Sequence, residues 1–135
     1  MSEKVPKVAN FMTRSPTTIE HSSTLSHAHE VMRKEQIRHL PVTDGSVVIG
    51  VVSVRDLHLI ETFDGVDQDK VLVKEAMSAP VYHVHESDQV HLVAAKMAQD
   101  KVGSAVVLDE DDTVTGIFTV TDALIALLHA WKDKA

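Results

Sequence analysis

Residues 11–57 of this 135-residue chain match residues 76–123 at an offset of 65, which rises to 66 past one insertion. An internal repeat constrains the fold more than any other feature here, because it divides the chain into two units of one design. The agreement is by position and by type: Met12-Thr13 falls on Met77-Ser78, Leu25 on Val90, Met32 on Met97, Asp44 on Asp109, Gly50 on Gly116 and Asp56 on Asp122. A unit of roughly 50 residues buries too little surface to be comfortable alone, so the expected solution is two copies packed sheet to sheet about a pseudo-twofold axis. The repeats should run over residues 1–62, with an N-terminal entry segment, and 70–135, joined by a polar linker at 63–69.

Within the first copy, Ser23 or Thr24 can cap a helix whose apolar residues Leu25, Ala28, Val31 and Met32 recur at helical spacing. The partner helix carries Val90, Val93, Ala94 and Met97, and Asp88 is its expected cap. After each helix comes a short strand, His39-Leu40-Pro41-Val42-Thr43 or Ser104-Ala105-Val106-Val107-Leu108, then a polar turn and a β-branched strand: a hairpin. Asp44-Gly45 tolerates the positive φ of a tight reversal, whereas the second copy uses the longer Asp109-Glu110-Asp111-Asp112. Pro41 cannot donate to a ladder, so its amide side should face an edge or a cleft. Thr17-Thr18-Ile19 and Tyr82-His83-Val84 supply a first strand, which makes each unit β-α-β-β-α. With 44% hydrophobic but only 4% aromatic residues, the core falls to Val, Leu, Ile, Ala and Met, which suits an α/β or α+β fold.

The formal net charge of −7 argues against a sequence-independent grip on nucleic acid, which needs a clustered positive surface. The chain has no cysteine, which excludes disulfides, zinc–thiolate sites and thiol nucleophiles. No segment approaches the roughly 18 to 20 apolar residues of a membrane span, and the N-terminus has no apolar run of signal-peptide length, so the expected location is cytoplasmic.

The most distinctive string is also repeated: Gly50-Val51-Val52-Ser53-Val54-Arg55-Asp56 and Gly116-Ile117-Phe118-Thr119-Val120-Thr121-Asp122. It sets a hydroxyl and a carboxylate at a helix start. Free amides and the positive end of the helix dipole suit phosphate there, and the carboxylate can accept from the vicinal hydroxyls of ribose. A Thr followed three residues later by Asp is equally an ordinary capping arrangement, which duplication would copy just as faithfully.

These residues carry a family resemblance. A Met-Thr entry, a helix, Leu40-Pro41-Val42-Thr43-Asp44 and the Gly-to-Asp string, seen twice over nearly the whole chain, resemble the cystathionine β-synthase (CBS) domain family. The resemblance implies a tandem pair, a Bateman module, with two clefts that each combine the entry segment and first hairpin strand of one copy with the Gly-to-Asp string of the other. Adenosine ligands are implied: AMP, ADP or ATP, with NAD and S-adenosylmethionine as further candidates. One implied cleft uses Thr17, Thr18, Ile37, Arg38 and His39 with Ile117, Thr119, Thr121 and Asp122; Asp122 holds the ribose, Thr119 and Thr121 reach the phosphate, and Arg38 and His39 add positive charge. The second uses Tyr82, Val102 and Ser104 with Val51, Ser53, Arg55 and Asp56, but Gly103-Ser104 stands where Arg38-His39 stands in the first, so phosphate would lean on Arg55. A longer polyphosphate should prefer the first cleft.

No nucleophile with a base and no paired carboxylates facing a substrate are recognisable, so the chain reads as a regulatory module and not an enzyme, with no required cofactor. The competing reading is a protein-interaction or dimerisation module with vestigial clefts. The nine histidines, among them the pairs His83/His85 and His27/His29 with His21 or His91 as a third, read as solvated or packed residues and not as a metal site. The acidic run 109–112 reads as a solvated turn. Leu124, Leu127, Leu128 and Trp131 form a stripe on the last helix. A homodimer and an unidentified effector protein are the expected macromolecular partners.

Overall fold

The computed structural model describes residues 5–133. In chain order its elements are β1 (Thr13–Arg14), β2 (Ile19–Glu20), α1 (Leu25–Glu35), β3 (His39–Asp44), β4 (Val47–Ser53), α2 (Val54–Ile60), β5 (His83–His85), α3 (Val90–Asp100), β6 (Ser104–Leu108), β7 (Val114–Thr119) and α4 (Val120–Asp133), with single 3-10 turns at Val8–Asn10 and Val73–Glu75. The fold is mixed α/β, with two sheets and four α-helices among the described residues. Its two compact units are not simply the front and back of the chain: Thr17–Val81 makes one, and the chain up to Pro16 joins the chain from Tyr82 onward to make the other.

In the unit Thr17–Val81 the sheet order is β2-β3-β4. β2 runs parallel to β3 and β3 antiparallel to β4, with His39 opposite Ser53. Leu25, Ala28 and Met32 of α1 are buried with Leu40, Val42, Val52, Leu57 and Val73, each large side chain contributing about 1.5–3 kcal/mol of transfer free energy. Thr24 is the cap of α1, its side chain accepting from the His27 amide at 3.2 Å. Pro41 lies fully buried in the middle strand, beside a stretch that β2 leaves unpaired, in keeping with the expectation that its amide side faces an edge or a cleft. It is tolerated because β2 covers only Val42 and Thr43, while Val51, opposite Pro41, exchanges its backbone bonds with Ser78 instead.

The other unit has the order β1-β7-β6-β5, again with one parallel pair, β5-β6, and one hairpin, β6-β7. Its core holds Val8, Met12, Val84, Val90, Val93, Met97, Ala105, Val107, Phe118 and Ala126. The entry segment therefore pairs with the last strand of the second repeat: Thr13 lies opposite Ile117 and Arg14 opposite Gly116. Asp88 does not cap α3. The N-cap is Gln89, which makes no side-chain cap bond, and the Asp88 carboxylate instead accepts from the His85 amide at 2.8 Å.

The duplication extends to backbone detail. Gln36 and Lys101 end α1 and α3 in the left-handed region, at φ 56° and 57°, and the next amides, of Ile37 and Val102, bond back to Met32 and Met97. Both hairpins turn through a positive φ, at Gly45 in the short turn and at Asp112 in the long one.

Candidate ligand-binding site

The Gly-to-Asp string occupies the same place in each unit, from the end of a central strand into the first turn of a helix. Its glycine is required by close packing. A Cβ at Gly50 would lie 2.6 Å from Met77 Sδ and 2.8 Å from the Ser78 carbonyl oxygen; at Gly116 it would lie 2.7 Å from Met12 Sδ and 2.9 Å from the Thr13 carbonyl oxygen. The Met-Ser and Met-Thr entry pairs thus lie across the glycines, so the two most recurrent pieces of the repeat are recurrent because they touch. The methionines and the glycines each recur between the copies, but recurrence alone leaves open which methionine meets which glycine.

At the helix starts the capping reading holds. The Ser53 amide donates to Asp56 Oδ2 at 2.9 Å and the Asp56 amide to Ser53 Oγ at 3.1 Å, a reciprocal capping box. In the other unit Thr119 donates twice to Asp122 Oδ2, from its amide at 2.9 Å and its hydroxyl at 3.2 Å. The first helical amides are also occupied, Val54 bonding to the Arg38 carbonyl and Val120 to the Gly103 carbonyl. One oxygen of each carboxylate is thereby committed to the local fold; among the described residues no donor reaches Oδ1 of Asp56 or Asp122. Both side chains are partly exposed. Burial pushes the Asp122 carboxyl above its ordinary value, opposed by the two bonds from Thr119.

Each unit gathers half of each implied cleft. In the unit Thr17–Val81, Ile37 and Arg38 lead into β3, His39 begins it across from Ser53, and Val51, Arg55 and Asp56 follow on β4 and α2. Burial pushes the His39 imidazole below its ordinary value; the Asp56 carboxylate opposes this and Arg38 adds to it. Thr17 and Thr18 immediately precede β2, and the Thr17 hydroxyl donates to Glu35 at 3.4 Å. In the other unit Tyr82, half-buried, precedes β5 and its carbonyl accepts from the Val106 amide at 3.0 Å. Val102 precedes β6, buried Ser104 lies opposite Thr119, Ile117 is buried on β7, and Thr121 is exposed beside Asp122 on α4. The grouping of Thr17, Thr18, Ile37, Arg38 and His39 with Ile117, Thr119, Thr121 and Asp122 draws on both units and is taken up below.

The two helix starts differ in strength. α4 has 14 residues and α2 only 7, so α4 offers the larger aligned dipole to an anion.

Two α/β units, each carrying the repeated Gly-to-Asp string, make this chain a tandem duplication of one domain design. The CBS domain family model matches residues 8–59 and 73–129; the chain belongs to the CBS domain family. It is 29% identical over 118 residues to the uncharacterized protein MJ1232 of Methanocaldococcus jannaschii, covering 87% of this chain and 38% of that one. Relatives named as enzymes match over a smaller share of themselves: the L-aspartate semialdehyde sulfurtransferase of the same organism is 26% identical over 90% of this chain and 23% of its own length. Among solved structures, the CBS domain pair of protein MJ0100 in complex with 5-methylthioadenosine and S-adenosyl-L-methionine superposes with a TM-score of 0.81 at 26% identity, over 96% of this chain and 99% of that one. The CBS domain of a bacterial CNNM/CorC family Mg2+ transporter in complex with ATP gives 0.76 at 25% identity, over 87% and 84%. No helix among the described residues is long and apolar enough to cross a membrane.

Proposed function

We propose that the chain is a regulatory module that binds an adenine nucleotide and is not itself an enzyme. The observation that carries this reading is Asp122: a partly buried carboxylate at the start of a long helix, one oxygen held by Thr119 and the other free to accept from ribose hydroxyls. The complexes of similar CBS pairs with adenosine ligands support it. The preferred cleft combines Thr17, Thr18, Ile37, Arg38 and His39 with Ile117, Thr119, Thr121 and Asp122; the second combines Tyr82, Val102 and Ser104 with Val51, Ser53, Arg55 and Asp56. A ligand that touches both repeats stabilises one orientation of the pair, by its differential affinity for the alternatives, and a partner protein in the cytoplasm reads the result.

Calorimetric titration with AMP, ADP, ATP, NAD and S-adenosylmethionine tests the reading, together with thermal shifts, since binding to the folded state raises its apparent stability. At least one ligand should bind, and Asp122→Ala should weaken it about tenfold or more, the loss of a hydrogen bond to a charged group. Silence from all five overturns the reading. A variant that loses stability but keeps its affinity assigns Asp122 to capping alone.

Dimerisation is the companion reading. On α4, Leu124, Leu127, Leu128 and Trp131 are 54–74% exposed, an apolar stripe at helical spacing that a second copy would cover.

A further inference from the structure

The residues of the ligand-binding reading leave one cluster of charged side chains unused. At the carboxyl ends of β2 and β3, Glu20, His21 and Asp44 each offer a ligand atom, and these atoms all lie within 4.8 Å of one another. His21 Nε2 is 3.6 Å from Asp44 Oδ1 and 3.9 Å from Glu20 Oε1. We propose that Glu20, His21 and Asp44 hold one divalent cation of the zinc class, with water completing the coordination.

Spacing disfavours magnesium and the donor set disfavours calcium. Ligands about 2.0–2.2 Å from a tetrahedral ion stand about 3.3–3.6 Å apart, close to the two distances found. Neighbouring ligands of an octahedral magnesium at about 2.0–2.1 Å would stand only about 2.9 Å apart. The donor set agrees, since one imidazole with two carboxylates suits zinc better than the all-oxygen shells of calcium or magnesium.

The backbone holds the three residues in place. Glu20 pairs with Thr43 across the parallel strands, the His21 amide donates to the Thr43 carbonyl at 2.8 Å, and Asp44 ends β3 just before the tight turn at Gly45. Glu20 is oriented by bonds from the Gly45 amide and the Thr43 hydroxyl, both 3.0 Å. Such outer contacts fix ligands around a metal.

The second repeat supplies an internal control. Its residues at these positions are His85, Glu86 and Asp109, the same three side-chain types. There the longer turn draws Asp109 Oδ1 into bonds from the Asp111 and Thr113 amides, at 2.8 and 3.0 Å, and His85 faces Asp112 at 3.8 Å instead. Among the described residues the second trio does not converge. The chain should therefore take one such ion and not two.

The full chain, stripped with EDTA, should bind one equivalent of Zn2+ by calorimetry, and Zn2+ should raise its melting temperature. Co2+ as a spectroscopic probe should give the visible absorption of a tetrahedral site. His21→Ala and Asp44→Asn should each weaken Zn2+ binding about tenfold or more and abolish the Co2+ spectrum, while His85→Ala leaves both unchanged. Asp44 is exposed, so its substitution leaves folding intact, which circular dichroism in EDTA checks. Zinc binding that survives both His21→Ala and Asp44→Asn, or none in the wild type, overturns the proposal; in the latter case the trio is a histidine–carboxylate ion-pair cluster.

Discussion

A methyl group placed on Gly116 would meet Met12 Sδ at 2.7 Å and the Thr13 carbonyl oxygen at 2.9 Å, whereas one on Gly45 meets nothing within 4 Å. The two glycines are thus kept for different reasons, and substitution should tell them apart. Gly116→Ala forces backbone and sulfur apart and should cost about 1–3 kcal/mol, the usual range for overpacking. Gly45→Ala bears only the strain of its φ of +65°, about 1 kcal/mol. Urea unfolding midpoints of the two variants check this, and an equal cost would contradict it. His39 makes a pH-dependent prediction. Its folded pKa lies below the ordinary 6.5, chiefly through burial, so the native state binds fewer protons than the unfolded chain. The stability this residue contributes is present above pH 6.5 and is lost as pH falls through the lowered folded value. Urea midpoints recorded across that window should fall more steeply for the wild type than for His39→Gln. Of the candidate site, the capping by Asp122 was legible in the sequence; which oxygen the cap takes was not, because that depends on the side-chain rotamer.

Helices α1 and α3 each stop at a non-glycine residue in the left-handed region, Gln36 and Lys101. Glycine enters that region without a Cβ clash, so Gln36→Gly and Lys101→Gly should each stabilise by up to about 1 kcal/mol, while alanine there should not. Thermal melts of the four variants would decide it. Most elements were readable from the chain. The buried faces of α1 and α3 follow the helical spacing of Leu25, Ala28 and Met32 and of Val90, Val93 and Met97, and Thr24 is a cap of the expected kind. Asp88 misled because a carboxylate near a helix start can also brace the preceding strand, and the amide of His85 was the nearer donor. That Pro41 sits in a middle strand was not legible, because a central strand can lack a neighbour for part of its length when the next strand has only two residues.

The pairing of the entry segment with β7 escaped the sequence for a plainer reason. β1 is two exposed residues with no hydrophobic alternation, and a perfect repeat is equally consistent with each entry segment packing on its own copy or on the other. In the structure Met12 meets Gly116 and Met77 meets Gly50, and Thr13 and Arg14 pair with β7. A variant lacking residues 5–14 would lose β1 together with buried Val8 and Met12. Its damage should fall on the distant half of the sequence: amides of β6, β7 and α3 should lose hydrogen-exchange protection while those of β3 and β4 keep theirs. Uniform loss, or loss confined to β3 and β4, would contradict this. The same interleaving gives the molecule an order of assembly. During translation the stretch from Thr17 to Val81 can close as soon as it clears the ribosome, because all of its strands are contiguous. Residues 5–16, synthesised before that stretch, have no strand to join until β7 emerges, so a segment made earlier than Thr17–Val81 is seated later.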